Sequence, residues 1–156
     1  MSKLTHLNDQ NEIEMVDISN KGQTQRMAIA EGCICMQSET LSLIRTKEVP
    51  KGDVIATARI AGIMAAKKTH ELIPLCHPLL LSQINIRFNE LKTRSGLHIT
   101  STVRVNGQTG VEMEALTAVT VTCLTLYDML KAVDISMEIH GIKLLEKLGG
   151  NSITQA

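Results

Sequence analysis

An α+β sandwich, one antiparallel sheet with its helices on a single face, is the fold class predicted by three features of the sequence. Two neighbouring segments alternate with period two. In the first, Ile84, Ile86 and Phe88 oppose Gln83, Asn85, Arg87 and Asn89; in the second, Leu97, Ile99, Ser101, Val103 and Val105 oppose His98, Thr100, Thr102 and Arg104. Such segments are strands with one buried and one polar face. Two further segments, 53–68 and 112–132, carry helical signals. The resulting order is strand, helices, two strands, helix, strand. At 156 residues and 44% hydrophobic content, the chain builds one core and one domain.

Taken in order, residues 1–24 are polar and without periodicity, which predicts a mostly mobile N-terminal segment. A single domain is expected over 25–150, and a flexible tail over 151–156. "RMAIAEGCICM" alternates loosely and suits a strand, and "SETLSLIRT" reads as a short helix capped by Ser38 that ends before Pro50. "DVIATARIAGIMAAKK" is a stronger helix, rich in Ala and capped by Asp53, with Gly62 on a face where small residues permit close packing. The link "LKTRSG" joins the two alternating strands as a hairpin. In 112–132, Met113, Leu116, Val119, Cys123, Leu126 and Leu130 recur at the three- and four-residue spacing of an amphipathic helix. Residues 136–148 admit two readings: Met137 and Ile139 alternate like a strand, whereas Ile142, Leu144, Leu145 and Leu148 would suit a helix. The strand is preferred. The whole order is then that of a ferredoxin-like sandwich, whose uncovered sheet face predicts a homo-oligomer through that face.

Composition narrows the partners. Lys plus Arg and Asp plus Glu both total 16, so no overall basic field draws the chain to nucleic acid. Aromatic content of 1% removes the stacking platforms of single-strand binders. No apolar run approaches 20 residues, so no membrane partner is expected, and four cysteines without a leader predict a reducing, cytoplasmic setting. No CxxC occurs. A zinc set of Cys33, Cys35, Cys76 and His77 is disfavoured, because adjacent residues 76 and 77 point to opposite sides of an extended chain.

Four groups of residues suit chemistry, each beside a plainer structural role. In "LIPLCHPLLLS", Pro74 and Pro78 bracket Cys76 and His77, making either a preset pocket wall or an ordinary stiff connection. Lys51 precedes a helix N-terminus, where an ammonium would reinforce anion binding. Asp128 and Lys131 lie three apart on one helix face, as a surface ion pair or a proton-exchanging pair. Glu112 and Glu114 stand in the first turn of the same helix, favoured by its dipole or set to accept the N–H edge of a guanine or pterin. Glu114 and Asp128 are separated by about 21 Å at helical rise. If both serve one substrate, the site lies between subunits.

The strings "MVDIS", "TQRMAIA", "KGDVIATARIAGIMAAKKTHELIPLCHPLLLS", "TGVEMEALTAVTV" and "LYDMLKAVD" resemble the cyclic pyranopterin monophosphate synthase family, protein C of molybdenum cofactor biosynthesis, over about residues 15–150. The resemblance implies a lyase that converts a 3′,8-cyclo-7,8-dihydroguanosine triphosphate to cyclic pyranopterin monophosphate with loss of diphosphate. It also implies a ferredoxin-like subunit, a homohexamer built as a trimer of dimers with sites at the dimer interfaces, and no metal or other cofactor. On matching positions, Asp128 would be the general acid/base with Lys51 and Lys131 as partners. Leu75, Cys76, His77, Glu112, Met113 and Glu114 would bind substrate, and Arg26 is a further phosphate contact. The end "GGNSITQA" lacks the Lys and Gly expected after the paired glycines. A different class, a purine-nucleotide-binding regulatory module of the same fold, would need binding without turnover.

Overall fold

The structure, a computed structural model, describes residues 5–150 and the backbone of Thr154–Gln155. Its elements run β1 (Thr24–Cys35), α1 (Ser38–Thr46), α2 (Val54–Lys67), α3 (Thr69–Leu72), β2 (Leu81–Glu90), β3 (Gly96–Gly107), α4 (Glu112–Leu130), β4 (Glu138–Leu148) and β5 (Thr154–Gln155). The strands form one antiparallel sheet in the order β2-β3-β1-β4-β5. The architecture is therefore α+β, with α2 and α4 packed together on one sheet face.

Alternation decides which residues meet the helices. From β1, Ala28, Ala30 and Ile34 are fully buried, as are Ile99, Ser101 and Val103 from β3. They face Ala115, Ala118, Val119, Cys123 and Leu126 of α4 in one core. Ser101 satisfies its buried hydroxyl by donating to the Ala115 carbonyl at 2.7 Å. Burial pushes the Cys123 thiol up to about 12, so it acts as a small apolar filler. The packing of α4 against both α2 and the sheet accounts for its apolar composition, which by length would also suit a membrane span.

The 136–148 ambiguity has a geometric cause. Against β1, Glu31 pairs with Lys143 but Cys33 with His140, and Ile29 pairs with Glu146 but Ala30 with Leu144. Each shift inserts one extra residue in β4, the first beside Gly141 at φ +66°, a left-handed conformation glycine adopts without steric cost. Two bulges turn a period-two strand into a sequence with helix-like spacing.

One cap differs from expectation. Asp53 does cap α2, accepting from the Ala56 N–H at 2.9 Å. Ser38, however, is already the first residue of α1, and Gln37 holds the N-cap position without a side-chain bond. The capping carboxylate comes from Asp134, distant in sequence and 2% exposed, which accepts from the Gln37 N–H at 2.9 Å and the Thr40 hydroxyl at 3.1 Å. It also accepts from the Ser136 N–H and hydroxyl. Burial opposes ionisation of Asp134, yet these donors together outweigh it and hold the carboxyl below its ordinary value. Asp134→Ala strands several buried donors and is expected to cost about 3 kcal/mol by urea denaturation at pH 7. Because the native carboxyl is the stronger acid, this contribution is present above the unfolded pKa and fades as pH falls through the folded one. A variant within 0.5 kcal/mol of wild type, to borrow the usual span of surface substitutions, would contradict the capping role.

Candidate active site

The residues proposed from sequence gather at the two ends of α4. At its C-terminal end, Lys131 Nζ lies 2.8 Å from Asp128 Oδ1. Lys51, on the turn between α1 and α2, donates from Nζ to the Asp128 backbone carbonyl at 3.2 Å and stands 4.0 Å from Oδ2. Gly52 at φ +93° makes that turn possible. The Lys131 hydrogen bond and charge, with Lys51 behind them, hold the Asp128 carboxyl below its ordinary range, and Asp128 in turn raises Lys131. The pair is thus an ionised carboxylate beside an ammonium, each held in its charged form by the other. All three side chains remain about half exposed on the single chain.

At the N-terminal end of α4 lies a hollow of about 290 Å³. Its walls include Leu75, Cys76 and His77 from the loop after α3, together with Glu112, Met113 and Glu114 from the first turn of α4. His77 Nε2 sits 2.8 Å from the Val16 carbonyl. A carbonyl can only accept, so Nε2 is the donor in this contact. Burial, then the charge of Glu114, raises Cys76 above an ordinary thiol, so it lines the wall as a neutral group. The two carboxylates of α4 differ. Glu112 accepts from Lys147 Nζ at 3.0 Å. Glu114 is 4% exposed, and burial followed by the Glu112 charge pushes its carboxyl up to about 7.

That shift carries a stability consequence. A carboxyl raised in the fold imposes no penalty below its unfolded pKa; the penalty grows between roughly pH 4.5 and 7 and is complete above. Glu114→Gln should therefore match wild type near pH 4.5 and exceed it at pH 8 by up to about 3 kcal/mol in urea denaturation. No gain at pH 8 would refute the raised pKa.

Several lining residues escaped sequence reasoning. Val16 and Lys21 come from the N-terminal stretch, whose described part starts at residue 5 and includes an Asn8 turn accepting from the Gln10 and Glu12 N–H groups. Lys147, which reaches the hollow's edge only through its bond to Glu112, lies on the bulged strand. Lys21 also borders an adjoining hollow with Thr24, Arg26 and Gly150. Arg26 is fixed by donating from Nε to the Gly107 carbonyl at 3.2 Å. By contrast, Cys33 and Cys35 lie on the outer sheet face, where Cys35 Sγ meets His140 Nε2 at 3.0 Å. His98, placed from sequence on the polar face, pairs there with Glu31 at 2.6 Å. Among the described residues, no three His, Cys, Asp or Glu side chains converge to hold a metal ion. The tail expectation for 151–156 lies outside the described residues apart from the backbone of β5.

The profile of the MoaC family matches residues 15–150. The chain belongs to the MoaC family. Among its relatives, a cyclic pyranopterin monophosphate synthase of Methylobacterium sp. (strain 4-46) is 59% identical over 152 residues, covering 97% of this chain and 95% of the relative. That of Brucella ovis is 53% identical over 150 residues, covering 96% and 91%. Both clusters at the ends of α4 fall inside the stretch matched by the MoaC family.

Proposed function

We propose that this chain is a lyase of molybdenum cofactor biosynthesis that converts 3′,8-cyclo-7,8-dihydroguanosine triphosphate to cyclic pyranopterin monophosphate with release of diphosphate. The observation that carries the reading is the Lys51, Asp128 and Lys131 cluster. Ring opening and closure require protons to be taken and returned, and a carboxylate and an ammonium can do both once substrate enters between them and breaks their contact. A binding-only module would keep the two as an ion pair and turn nothing over. In this reading Asp128 accepts a proton, Lys131 returns one, and Lys51 holds the carboxylate and offers a cation to the departing diphosphate. Leu75, Cys76, His77 and Met113 shape the substrate wall, Glu112 and Glu114 read the base edge, and Lys21 and Arg26 face the phosphates.

The subunit is ferredoxin-like, supported by the β1-α-β2-β3-α4-β4 order and the β2-β3-β1-β4 core of the sheet. Residues 25–150 are the catalytic domain, and residues 5–24 are an adjustable segment at the mouth of the hollow. The protein works in the cytoplasm as a homohexamer, a trimer of dimers, with each site shared by two protomers. Helix length supports the sharing, since the two clusters are about 21 Å apart on one chain. So does the stripe of Met113, Thr117, Thr120, Leu124 and Asp128 along the outer side of α4; Leu124, like Ile60 and Met64 of α2, is more than half exposed. Two α4 helices crossing antiparallel near residue 121 would bring Glu114 of one protomer to Asp128 of the other. A trimer of dimers needs two kinds of contact, and the outer sheet face is available for the second.

The test is to incubate purified protein with the cyclised nucleotide and follow diphosphate and pterin. Stoichiometric appearance of both is expected. Tight binding without either product would overturn the reading.

A further inference from the structure

The two carboxylates at the start of α4 are chemically unequal, although sequence presents them as a matched pair. Glu112 has an ammonium partner in Lys147, at 3.0 Å, and remains partly open to solvent. Glu114 is 4% exposed. Among the described residues no cation pairs with it, and the donor that acts on it is its own backbone N–H. The groups around it do not compensate. Glu112 adds like charge, and Cys76 is a neutral thiol. His77 is committed through Nε2 to Val16, while His6 and Lys21 line the hollow without an ion pair to Glu114 among the described contacts. Lys147, arriving from β4, is taken by Glu112.

We propose that Glu114 binds substrate as a carboxylic acid, donating its O–H to the ring carbonyl of the aminopyrimidinone edge, while ionised Glu112 accepts from that edge's N–H groups. A guanine-type edge presents an acceptor beside donors, and two carboxylates could satisfy only the donors. One acid and one carboxylate match the whole edge. A buried carboxylate facing a carbonyl would instead repel it and stay unsatisfied. The raised affinity of Glu114 for a proton, near pH 7, supports the assignment. Specificity follows: in a diaminopyrimidine edge an amino donor replaces the ring carbonyl opposite the Glu114 O–H, and the unprotonated ring nitrogen, an acceptor, replaces the N–H opposite Glu112. The inference rests on the function proposed above and adds the protonation state in which the base edge is read.

Steady-state kinetics with the cyclised nucleotide from pH 6 to 8 test it in wild type, Glu114→Gln and Glu112→Gln. Wild-type KM is expected to rise about tenfold across that range as the acid form is depleted. Glu114→Gln, whose amide N–H can donate but does not ionise, should stay within about threefold of the wild-type pH 6 value throughout. Glu112→Gln should raise KM at least about tenfold at every pH. Calorimetric binding to Asp128→Asn protein at pH 8, in buffers of different ionisation enthalpy, should show uptake of about one proton per site, lost when Glu114→Gln is added. Phosphate ionisation is common to both proteins and cancels. A flat wild-type KM, or Glu114→Gln as impaired at pH 6 as Glu112→Gln, overturns the assignment. If pterin forms but these pH effects are missing, only the Glu114 proposal falls; if no pterin forms with wild type, the enzymatic reading falls with it.

Discussion

Asp128→Asn is expected to lower kcat by about 10²–10⁴-fold while changing KM less than about threefold. The substitution keeps the shape and the hydrogen bond to Lys131 but removes the group that takes a proton. A loss confined to KM would instead make Asp128 a binding residue. The proposed sharing of the site between protomers adds a sharper test. Protomers carrying Asp128→Ala and protomers carrying Glu114→Ala should each be nearly inactive. After dissociation and reassembly of an equal mixture, about half the dimers are mixed, and each mixed dimer holds one intact site. Activity should then return to about a quarter of wild type. No recovery would place both groups in a single-chain site, which the length of α4 opposes.

The second large effect falls on stability. Gly62→Ala should destabilise the fold by about 2–4 kcal/mol in urea denaturation, although glycine is a poor helix former and alanine the best. At an exposed helical position the exchange would stabilise by about 1 kcal/mol. Here an added methyl would run into the Thr122 hydroxyl and Ile86 Cδ1, and lie 3.0 Å from the Ala118 carbonyl. Ile86 can swing its terminal carbon. The Ala118 carbonyl cannot move without bending α4, and it already accepts the Thr122 hydroxyl at 2.7 Å. Packing therefore outweighs propensity, and a variant as stable as wild type would show that α2 and α4 have room to separate.

How legible each element was depended on how local its cause is. The β2–β3 hairpin was readable because every inward residue alternates with a polar one, and its pairing follows from the short link. The Asp53 cap was readable because its acceptor and donor are three residues apart. The cap of α1 was not, since Asp134 reaches it from 97 positions away from Gln37. Strand β4 was ambiguous because bulges answer to the partner strand, not to the strand's own pattern. Among the candidate site residues, Asp128 and Lys131 announced themselves by helical spacing. Lys147 and Val16 gave no signal, one hidden by a displaced register and the other acting through its backbone carbonyl.

By itself the amino-acid order determined the strand and helix periods, the small residue where α2 meets α4, and the placing of Asp128 and Glu114 at opposite ends of one helix. These depend on bond geometry and neighbours within a few positions. Only the tertiary structure decided that Lys51 meets Asp128, that Lys147 takes Glu112 as partner, and that Glu114 is left enclosed without a cation. Charge states inside a protein depend on which distant groups arrive and how much water they displace, and that is a property of the packed chain.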